Sequence, residues 1–297
     1  MSISDTLLKN DPAWKARYER WRRAWARFTK NWLTVIGTVM VLIVVFSAVF
    51  APYVAPYPQD VNSVHFDQAS EPPSLEHPMG TDTSGRDILS RVIFGARISL
   101  QLSIVVVSIA VAIGTTVGIV AGYSGGLVRT VLMRITDIFL AIPPIVLALA
   151  ITAALQPSLQ NAMIAIAFGW WTWYARLVQG EVLSIKEEEF VEASESIGAR
   201  WYDVAFKEIL PNLVSPLTVK ATLDMGSVIL VGAGLAFLGL GAHPPTPSWG
   251  AMIAQGRDNV TNFWWIATFP GLAISWTVLG FNLLGDGLRD IFDVEVG

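Results

Sequence analysis

Long runs without a single charged side chain constrain the fold of this chain more than any other feature of its sequence. Residues 33–50, 98–122 and 138–175 form three such runs of 18, 25 and 38 residues. A helix needs roughly 20 apolar residues to cross the ~30 Å hydrocarbon core of a bilayer. The first two runs therefore predict one membrane span each, and the third is long enough for two.

The third run divides at Gln156-Pro157-Ser158, a turn signal between two apolar stretches. Two further spans are predicted, from about residue 215 to 239 and from 259 to 285, and they bring the number to six. The sequence lacks the alternating segments of a transmembrane barrel. The predicted fold class is an all-α polytopic membrane protein with six transmembrane helices.

Composition excludes several other classes of protein. Only 15% of the 297 residues are charged, against about 25% in an ordinary soluble protein, and 53% are apolar. A formal net charge of −4 and a pI of about 5.4 argue against nucleic acid as a partner. The chain has no cysteine, which excludes disulfides and thiolate metal sites.

The distribution of lysine and arginine predicts which ends of the spans face the cytoplasm. With a cytoplasmic N-terminus, the cytoplasmic segments 1–31, 123–134, 176–220 and 286–297 hold 16 of these residues and the outer segments hold 4. Positive charge accumulates on the cytoplasmic side of membrane proteins. We therefore expect a multi-pass protein of the cell (inner) membrane with both termini in the cytoplasm.

Residues 1–32 carry an aromatic stripe that is typical of a helix lying in the membrane interface. The stripe comprises Trp14, Tyr18, Trp21, Trp25, Phe28 and Trp32, and arginines occupy the other sides. A basic amphipathic helix of this kind binds membrane lipid in the headgroup layer. A contact between the helix and a partner subunit is the alternative interpretation.

The segment 51–97 is the longest predicted stretch outside the membrane on the side opposite the termini. Its prolines and acidic residues favour a docking or lid segment over an independent enzyme domain. Its turn-rich part contains Gly80, Thr81, Asp82, Gly85, Arg86 and Asp87. Either these residues contact a binding protein or shape an outer gate, or Asp82 and Asp87 cap the helix that enters the second span.

Three glycines in the second span predict close helix packing. Gly114, Gly118 and Gly122 follow one another at a spacing of four residues, which places them on one face of a helix. Small residues in this pattern let two helix backbones approach closely in a membrane. The partner helix is expected either within the subunit or in a second membrane subunit.

The cytoplasmic segment 176–214 is long for a connection between two spans. Ser194, Ile197 and Trp201 belong to a helical pattern, Gly198 indicates a turn between two short helices, and Pro211 is expected to stop the second. The apolar face of such helices needs a partner. Five glutamates between residues 187 and 195 argue against an anionic membrane surface as that partner.

Few residues in the predicted spans are ionisable, and no catalytic motif is present. Asp137 follows Arg134 by three residues and Asp224 follows Lys220 by four, which we interpret as helix-paired charges at cytoplasmic helix ends, with a gate or latch as the alternative. No glycine is followed by lysine, so a P-loop is absent, and the three histidines lack metal-ligand spacing. We expect a non-catalytic chain without a cofactor or metal of its own.

One motif resembles a known family. Glu192-Ala193-Ser194, Gly198 and Leu210-Pro211 resemble the EAA loop of binding-protein-dependent ABC importer permeases, with Ser194 in place of the second alanine. In that family the loop forms a cytoplasmic coupling helix that seats in a groove of the ATPase. The resemblance implies an ATPase-coupling role for the residues Glu192, Ala193, Ser194, Ile197, Gly198, Trp201, Leu210 and Pro211.

Three further stretches are similar to the C-type permease of dipeptide, oligopeptide and nickel importers: residues 80–100, 238–250 and 281–290. The resemblance covers about residues 30–293 and implies a type I ABC importer permease. It also implies partners, namely a B-type permease subunit, two ATP-binding subunits or domains, and an extracytoplasmic substrate-binding protein. ATP and Mg would be bound by the partner ATPase subunits and not by this chain.

The resemblance implies import of a small solute, with di- or oligopeptides expected first and a nickel chelate, glutathione or an oligosaccharide as alternatives. A stand-alone secondary transporter or channel is the competing interpretation, against which the glutamate-rich loop and the lack of ionisable residues deep in the spans both argue. The expected division is a cytoplasmic amphipathic segment (1–32), a first span with its extracytoplasmic loop (33–97), and a permease core (98–297) that contains the loop 176–214.

Overall fold

The computed structural model describes residues 28–292 together with Trp14, Tyr18, Arg22 and Ala26. The described residues form helices and connecting turns, with one isolated β-bridge between Thr81 and Asp87. The helices of eight residues or more are α1 (Trp32–Val49), α2 (Ile88–Ser124), α3 (Gly126–Leu140), α4 (Pro144–Ala154), α5 (Leu159–Ile185), α6 (Glu189–Ser196), α7 (Trp201–Phe237), α8 (Trp249–Gly256) and α9 (Trp264–Phe292).

Four helices are long and apolar enough to cross a membrane: α1, α2, α7 and α9. The pair of α3 and α4 adds a fifth candidate if the two helices together make one bent span. Helix α5 has 27 residues, yet its tryptophans, Asn161 and Arg176 lower its hydropathy. Length and composition therefore support a polytopic all-α membrane protein, and they supply four or five of the six predicted spans.

The charge-free run 138–175 contains a sharp bend that the sequence analysis did not predict. Helices α3 and α4 meet at 83°, where Pro143 and Pro144 interrupt the backbone hydrogen-bond ladder because proline has no N–H to donate. The predicted break near residue 157 is confirmed. There, Ser158 caps α5 by accepting a 3.1 Å hydrogen bond from the backbone N–H of Asn161.

Helices α2 and α5 pack side by side through the three glycines of α2. A Cβ atom placed on Gly114 would lie 2.4 Å from Cβ of Tyr174, and one on Gly118 would lie 2.6 Å from Cβ of Val178. Gly122 meets Val182 in the same way, at 2.7 Å. The residue numbers of the contacting pairs increase together along both helices. Helices α2 and α5 therefore run parallel within the subunit.

Helix α1 packs antiparallel to α9. A Cβ atom on Gly37 would lie 2.6 Å from Cβ of Leu283, so the two backbones are in close contact. The side-chain amide of Asn31, which precedes α1, donates a 3.1 Å hydrogen bond to Asp290 near the end of α9. The start of the first span and the end of the last therefore lie on the same side of the molecule.

Helix α7 begins at Trp201, well before the predicted start near residue 215. Pro211 lies inside α7, so the expectation that Pro211 stops a helix is wrong. A π-helical turn, Ala205–Ile209, precedes the proline and widens the backbone ladder at this point. The side-chain amide of Asn212 donates a 2.6 Å hydrogen bond to the backbone oxygen of Glu208, which helps to satisfy the carbonyl groups near Pro211.

The longer α7 places Lys220 and Asp224 near the middle of the helix, away from its first residue, Trp201. Lys220 lies about 28 Å along the helix axis from Trp201. Its Nζ donates a 2.6 Å hydrogen bond to Asp224 and lies 5.5 Å from the centre of the Tyr174 ring. The predicted pairing of Lys220 with Asp224 is confirmed. Asp224 is buried within the protein, and the depth of this pair in the membrane stays a prediction.

The predicted amphipathic helix at the N-terminus lies mostly outside the described residues. Trp14, Tyr18, Arg22 and Ala26 are helical, and the rings of Trp14 and Tyr18 stack with their centres 5.3 Å apart. Two members of the aromatic stripe, Trp21 and Trp25, are not among the described residues. The placement of this segment at the membrane surface stays a prediction.

The contact between α2 and α5 leads to a test of packing. We expect Gly118→Val to destabilise the chain by about 1–3 kcal/mol, because its Cβ cannot fit beside Val178 unless the helices separate. Gly180→Val is the matched control, since a Cβ on Gly180 of α5 meets nothing within 4 Å. Thermal unfolding in detergent micelles, followed by tryptophan fluorescence, compares the variants. Equal midpoints for the two would contradict the packing argument.

Candidate functional site

The segment between the first two spans folds into a compact unit of residues 57–91, which we call the outer cap. Thr81, Asp82, Arg86 and Asp87 are all buried within it. Gly85 has a φ of +74°, a left-handed conformation that favours glycine, and its missing Cβ would lie 1.7 Å from the backbone oxygen of His65. The turn at this position therefore requires glycine. Gly80 likewise has a φ of +74°.

Asp82 holds the outer cap together through several hydrogen bonds. Its Oδ1 accepts from the backbone N–H groups of Ser84 at 2.8 Å and of Arg86 at 3.1 Å. Its Oδ2 lies 2.8 Å from Nε of Arg86 and 3.5 Å from Nε of Arg91. Asp82 is therefore the centre of a buried ion cluster and does not cap a helix.

Asp87 caps α2, because its side chain accepts a 2.7 Å hydrogen bond from the backbone N–H of Ser90. Its other oxygen lies 2.9 Å from Nδ1 of His77. Thr81 joins the outer cap to α9, since Nε1 of Trp265 donates to the backbone oxygen of Thr81 at 3.1 Å. Of the two interpretations of this segment, the structure supports a structural cap for Asp87 and places Asp82 in the interior of the cap.

His77 and Tyr57 complete the cap, and neither was predicted to be a site residue from the sequence. Their rings lie 5.0 Å apart, and the hydroxyl of Tyr57 donates a 3.1 Å hydrogen bond to the backbone oxygen of Glu76. Desolvation raises the pKa of Tyr57, and the carboxylates of Glu76 and Asp87 raise it further. The phenol therefore remains a hydrogen-bond donor at neutral pH. The partners of these side chains are distant in sequence, so no local pattern indicated them.

Helix α6 and the start of α7, which are predicted to lie on the cytoplasmic side, carry several exposed apolar side chains. Ile197 is 87% exposed, and Trp201, Phe206 and Phe190 are also exposed. Within the EAA-like motif, Glu192 and Ala193 are exposed and Ser194 is half-buried. Large exposed apolar side chains in one region mark an interaction site. We call this region, residues 190–206, the cytoplasmic face.

The cytoplasmic face is anchored to the membrane helices at a few points. Val191 is fully buried in the core, and Glu195 accepts a 2.8 Å hydrogen bond from the hydroxyl of Tyr123 at the end of α2. Nζ of Lys186 donates to the backbone oxygen of Tyr123 at 3.1 Å and lies over its ring. A displacement of α6 would therefore be transmitted to the end of α2.

Gly198 forms the turn between α6 and α7, with a φ of +84°. A Cβ on Gly198 would meet nothing within 4 Å in this chain. A larger residue would therefore act through backbone strain and through whatever partner covers the turn. Leu210 and Pro211 lie about 14 Å farther along α7 than Trp201, so the structure does not bring these two predicted residues onto the cytoplasmic face.

Asp137 pairs with Arg176 of α5. The expected pairing with Arg134 on its own helix is wrong, because α3 lies against α5 and brings Arg176 within reach. Both side chains of the pair are 44% exposed. Water weakens such a pair, which contributes less than about 1 kcal/mol to stability.

Across residues 28–292 and the four described positions before them, no group of three or more His, Asp or Glu side chains is placed to hold a metal ion.

Comparison with protein families gives two matches. The family described as "binding-protein-dependent transport system inner membrane component" matches residues 114–296, more than half of the chain. The family described as "N-terminal TM domain of oligopeptide transport permease C" matches residues 19–73. Together they cover both the first span and the helices that carry the cytoplasmic face.

Curated relatives resemble the chain over nearly its full length. It is 43% identical to the dipeptide transport system permease protein DppC of Alkalihalophilus pseudofirmus, over 93% of this chain and 90% of the relative. It is 44% identical to the probable D,D-dipeptide transport system permease protein DdpC of Escherichia coli, over 89% and 86%. The glutathione transport system permease protein GsiD of Pectobacterium atrosepticum is 41% identical, over 93% and 91%.

The fold is similar to that of a chain in the MetNI methionine ABC transporter, solved in inward-facing conformations. The TM-score is 0.58 at 21% identity, and the match covers 70% of this chain and 97% of that chain. At this level of identity the likeness concerns the fold alone.

The ion cluster of the outer cap can be tested by removing its carboxylate. Asp82→Ala would leave Arg86 and Arg91 buried without their partner, and we expect it to lower stability by about 3–5 kcal/mol. The exposed Asp67 of the same segment provides the control Asp67→Ala, which should change the unfolding midpoint little. Thermal unfolding in micelles measures both variants. An Asp82→Ala chain as stable as the control would show that Asp82 serves docking and not the fold.

Proposed function

The chain belongs to the family of binding-protein-dependent transport system inner membrane components, and we propose that it forms half of the solute path in an ATP-driven importer of dipeptides or similar small solutes. It is a DppC/OppC-like permease subunit of an ABC importer and a multi-pass membrane component. The proposed coupling role rests on the cytoplasmic face, where Phe190 and Ile197 lie outside the candidate spans and are exposed in the described chain.

We propose six membrane spans: α1, α2, the bent pair α3–α4, α5, α7 and α9. Because α5 runs parallel to α2 along the glycine stripe, both helices cross in the same direction. The intervening bent pair must then return the chain to the opposite side. The hydrogen bond between Asn31, just before α1, and Asp290 of α9 supports an even number of crossings.

The proposed orientation has both termini in the cytoplasm. Sixteen of the 20 lysines and arginines then lie in cytoplasmic segments. In this orientation the outer cap faces the side where a substrate-binding protein docks, and the cytoplasmic face points to the side where ATP is available. The arrangement agrees with the even number of crossings.

The proposed partners follow from the family. A B-type permease would form the other half of the path, and an extracytoplasmic binding protein would deliver the solute. Two ATP-binding subunits or domains would bind ATP and Mg, and they would contact this chain at Glu192, Ala193, Ile197 and Trp201. Helix α6 has acidic residues in its first turn and a largely exposed surface, which suits a protein partner better than an anionic membrane surface.

We propose that the chain converts movement of the ATPase into a change of packing between its spans. Closure of the ATPase subunits would displace α6, and Tyr123 together with Lys186 would pass this displacement to α2. Helices α2 and α5 would move as one body because their backbones are in close contact. Two packings of similar energy, between which the ATPase selects, would then open the path to either side.

The solute is assigned from the relatives. The relatives are named as transport system permeases for dipeptides, D,D-dipeptides and glutathione. These solutes share a peptide backbone, an amino group and at least one free carboxylate. We propose a solute of this class, in preference to a nickel chelate or an oligosaccharide.

The coupling role is tested by placing a charge on the cytoplasmic face. We expect Ile197→Glu to reduce ATP-driven uptake and solute-stimulated ATPase activity at least tenfold in the reconstituted importer, because a carboxylate would replace an apolar group at the proposed contact. Membrane insertion of the subunit should be unchanged, since Ile197 is 87% exposed.

Ile197→Leu is the matched control, because it keeps an apolar side chain at the same exposed position. It should leave both activities within about twofold of wild type. Full activity of Ile197→Glu would overturn the coupling role. Movement of solute across liposomes by the purified chain, with neither nucleotide nor partner subunits, would instead establish a stand-alone transporter or channel.

The buried pair of Lys220 and Asp224 has either a stabilising or a gating role. We expect Lys220→Met to destabilise the chain by about 3–5 kcal/mol, because it leaves Asp224 buried without its partner. The double variant Lys220→Met/Asp224→Leu removes both charges and should regain both the unfolding midpoint and ATP-driven uptake. A double variant that is stable but does not transport would assign a gate to this pair.

A further inference from the structure

A cavity of about 450 Å³ lies between the outer cap and the outer end of α7. Its lining comes from the outer cap, from the end of α7 with the segment that follows it, and from α8. We call this space the outer cavity. Its polar lining includes Ser84, Arg86, Arg91, His243 and Gln255, and none of the described lining residues is acidic.

Two guanidinium groups border the outer cavity, and they share one carboxylate. Arg86 and Arg91 both form an ion pair with Asp82, at 2.8 Å and 3.5 Å. Among the described residues no other carboxylate forms an ion pair with either arginine. The cluster therefore keeps one uncompensated positive charge, and a second negative group would stabilise it.

Arg91 is the more strongly buried of the two arginines, with 3% of its surface exposed. Its Nη1 donates to the backbone oxygens of Val61 at 2.6 Å and of Pro245 at 3.2 Å. Its Nε makes no hydrogen bond within the described chain, because the nearest carboxylate oxygen, Oδ2 of Asp82, lies 3.5 Å away. A buried charged donor without an acceptor is costly, and an anionic oxygen in the cavity would satisfy it.

Arg86 reaches the opposite wall of the outer cavity. Its Nη2 donates to the amide oxygen of Gln255 at 3.3 Å, a long hydrogen bond, while Gln255 in turn donates to Thr83 at 2.6 Å. A carboxylate can replace the long bond with a shorter, charge-assisted one. Phe237 and Met252 supply apolar surface beside these polar groups.

We propose that the outer cavity binds a carboxylate group of the transported solute, with Arg86 and Arg91 as its ligands. This inference rests on the proposed function and extends it to a binding site on the permease itself. The cavity volume lies within the range of small-molecule sites. A free carboxylate is common to the solutes named for the relatives, and the apolar wall suits a neighbouring peptide side chain.

The test compares a peptide with its amide. The full importer, in nanodiscs and without binding protein, is equilibrated with radiolabelled alanyl-phenylalanine or with alanyl-phenylalanine amide. We expect the amide to bind at least about tenfold more weakly, because it lacks the charge that Arg86 and Arg91 recognise. Equal binding of the two peptides, or binding of neither, overturns the proposal.

Variants assign the difference to the outer cavity. Arg86→Gln should reduce the preference for the acid to within about twofold, and Arg86→Lys should keep part of it because the positive charge remains. Arg134→Gln is the control, since Arg134 is exposed on α3 and does not line the outer cavity, and it should keep the full preference. If Arg86→Gln fails to fold, the reduced preference for the acid is measured on Arg86→Lys instead. If a folded Arg86→Gln importer keeps the full preference for the acid over the amide, the carboxylate site lies elsewhere and the proposal is overturned.

The other carboxylate that fits the outer cavity is one on the surface of the binding protein. Affinity of the solute-loaded binding protein for the importer is therefore measured for wild type and for Arg86→Gln. We expect agreement within about twofold. A tenfold loss of docking, with no difference between acid and amide, would assign the cavity to the binding protein and overturn the proposal. ATP-driven uptake by the wild-type importer tests the proposed function separately, so failure of one is distinguishable from failure of the other.

Discussion

The contact between α2 and α5 is the interaction on which the rest of the molecule depends. In lipid the hydrophobic effect does not favour one apolar helix contact over another, so close packing has to supply the stability. Gly114, Gly118 and Gly122 allow the two backbones to approach until a single Cβ would overlap with α5. This contact makes α2 and α5 parallel, which is the basis for the proposal that the bent pair α3–α4 returns the chain across the membrane.

The two ends of the α2–α5 pair carry different chemistry. At the outer end α2 begins inside the outer cap, where Asp87 caps the helix and Asp82 holds two buried arginines. At the inner end Tyr123 connects α2 to α6. A closely packed helix pair of this kind is suited to the proposed coupling, in which a displacement at α6 is transmitted to the outer cap.

Much of the architecture was predictable because it depends on local sequence. Charge-free runs predicted the spans, the spacing of glycines predicted a packing face, and the break near residue 157 was confirmed. The predictions were wrong where one local sequence pattern is compatible with two different structures. Pro211 is typical of a residue that ends a helix, yet a π-helical turn before it allows α7 to continue. Asp137 has a possible partner on its own helix, yet Arg176 of α5 binds it.

By itself, the sequence determined that the chain is an all-α membrane protein, which residues form the small face of α2, and which motifs belong to an importer permease. The first two follow from the composition and the periodicity of short stretches, and the third follows from the resemblance of those motifs to a known family. Only the tertiary structure decided that α5 is the partner of that face, that Asp224 is buried inside α7, and that Arg86 and Arg91 border one cavity with a single carboxylate between them. These features depend on residues far apart in the chain, and helical periodicity carries no information about which distant surface a helix will meet.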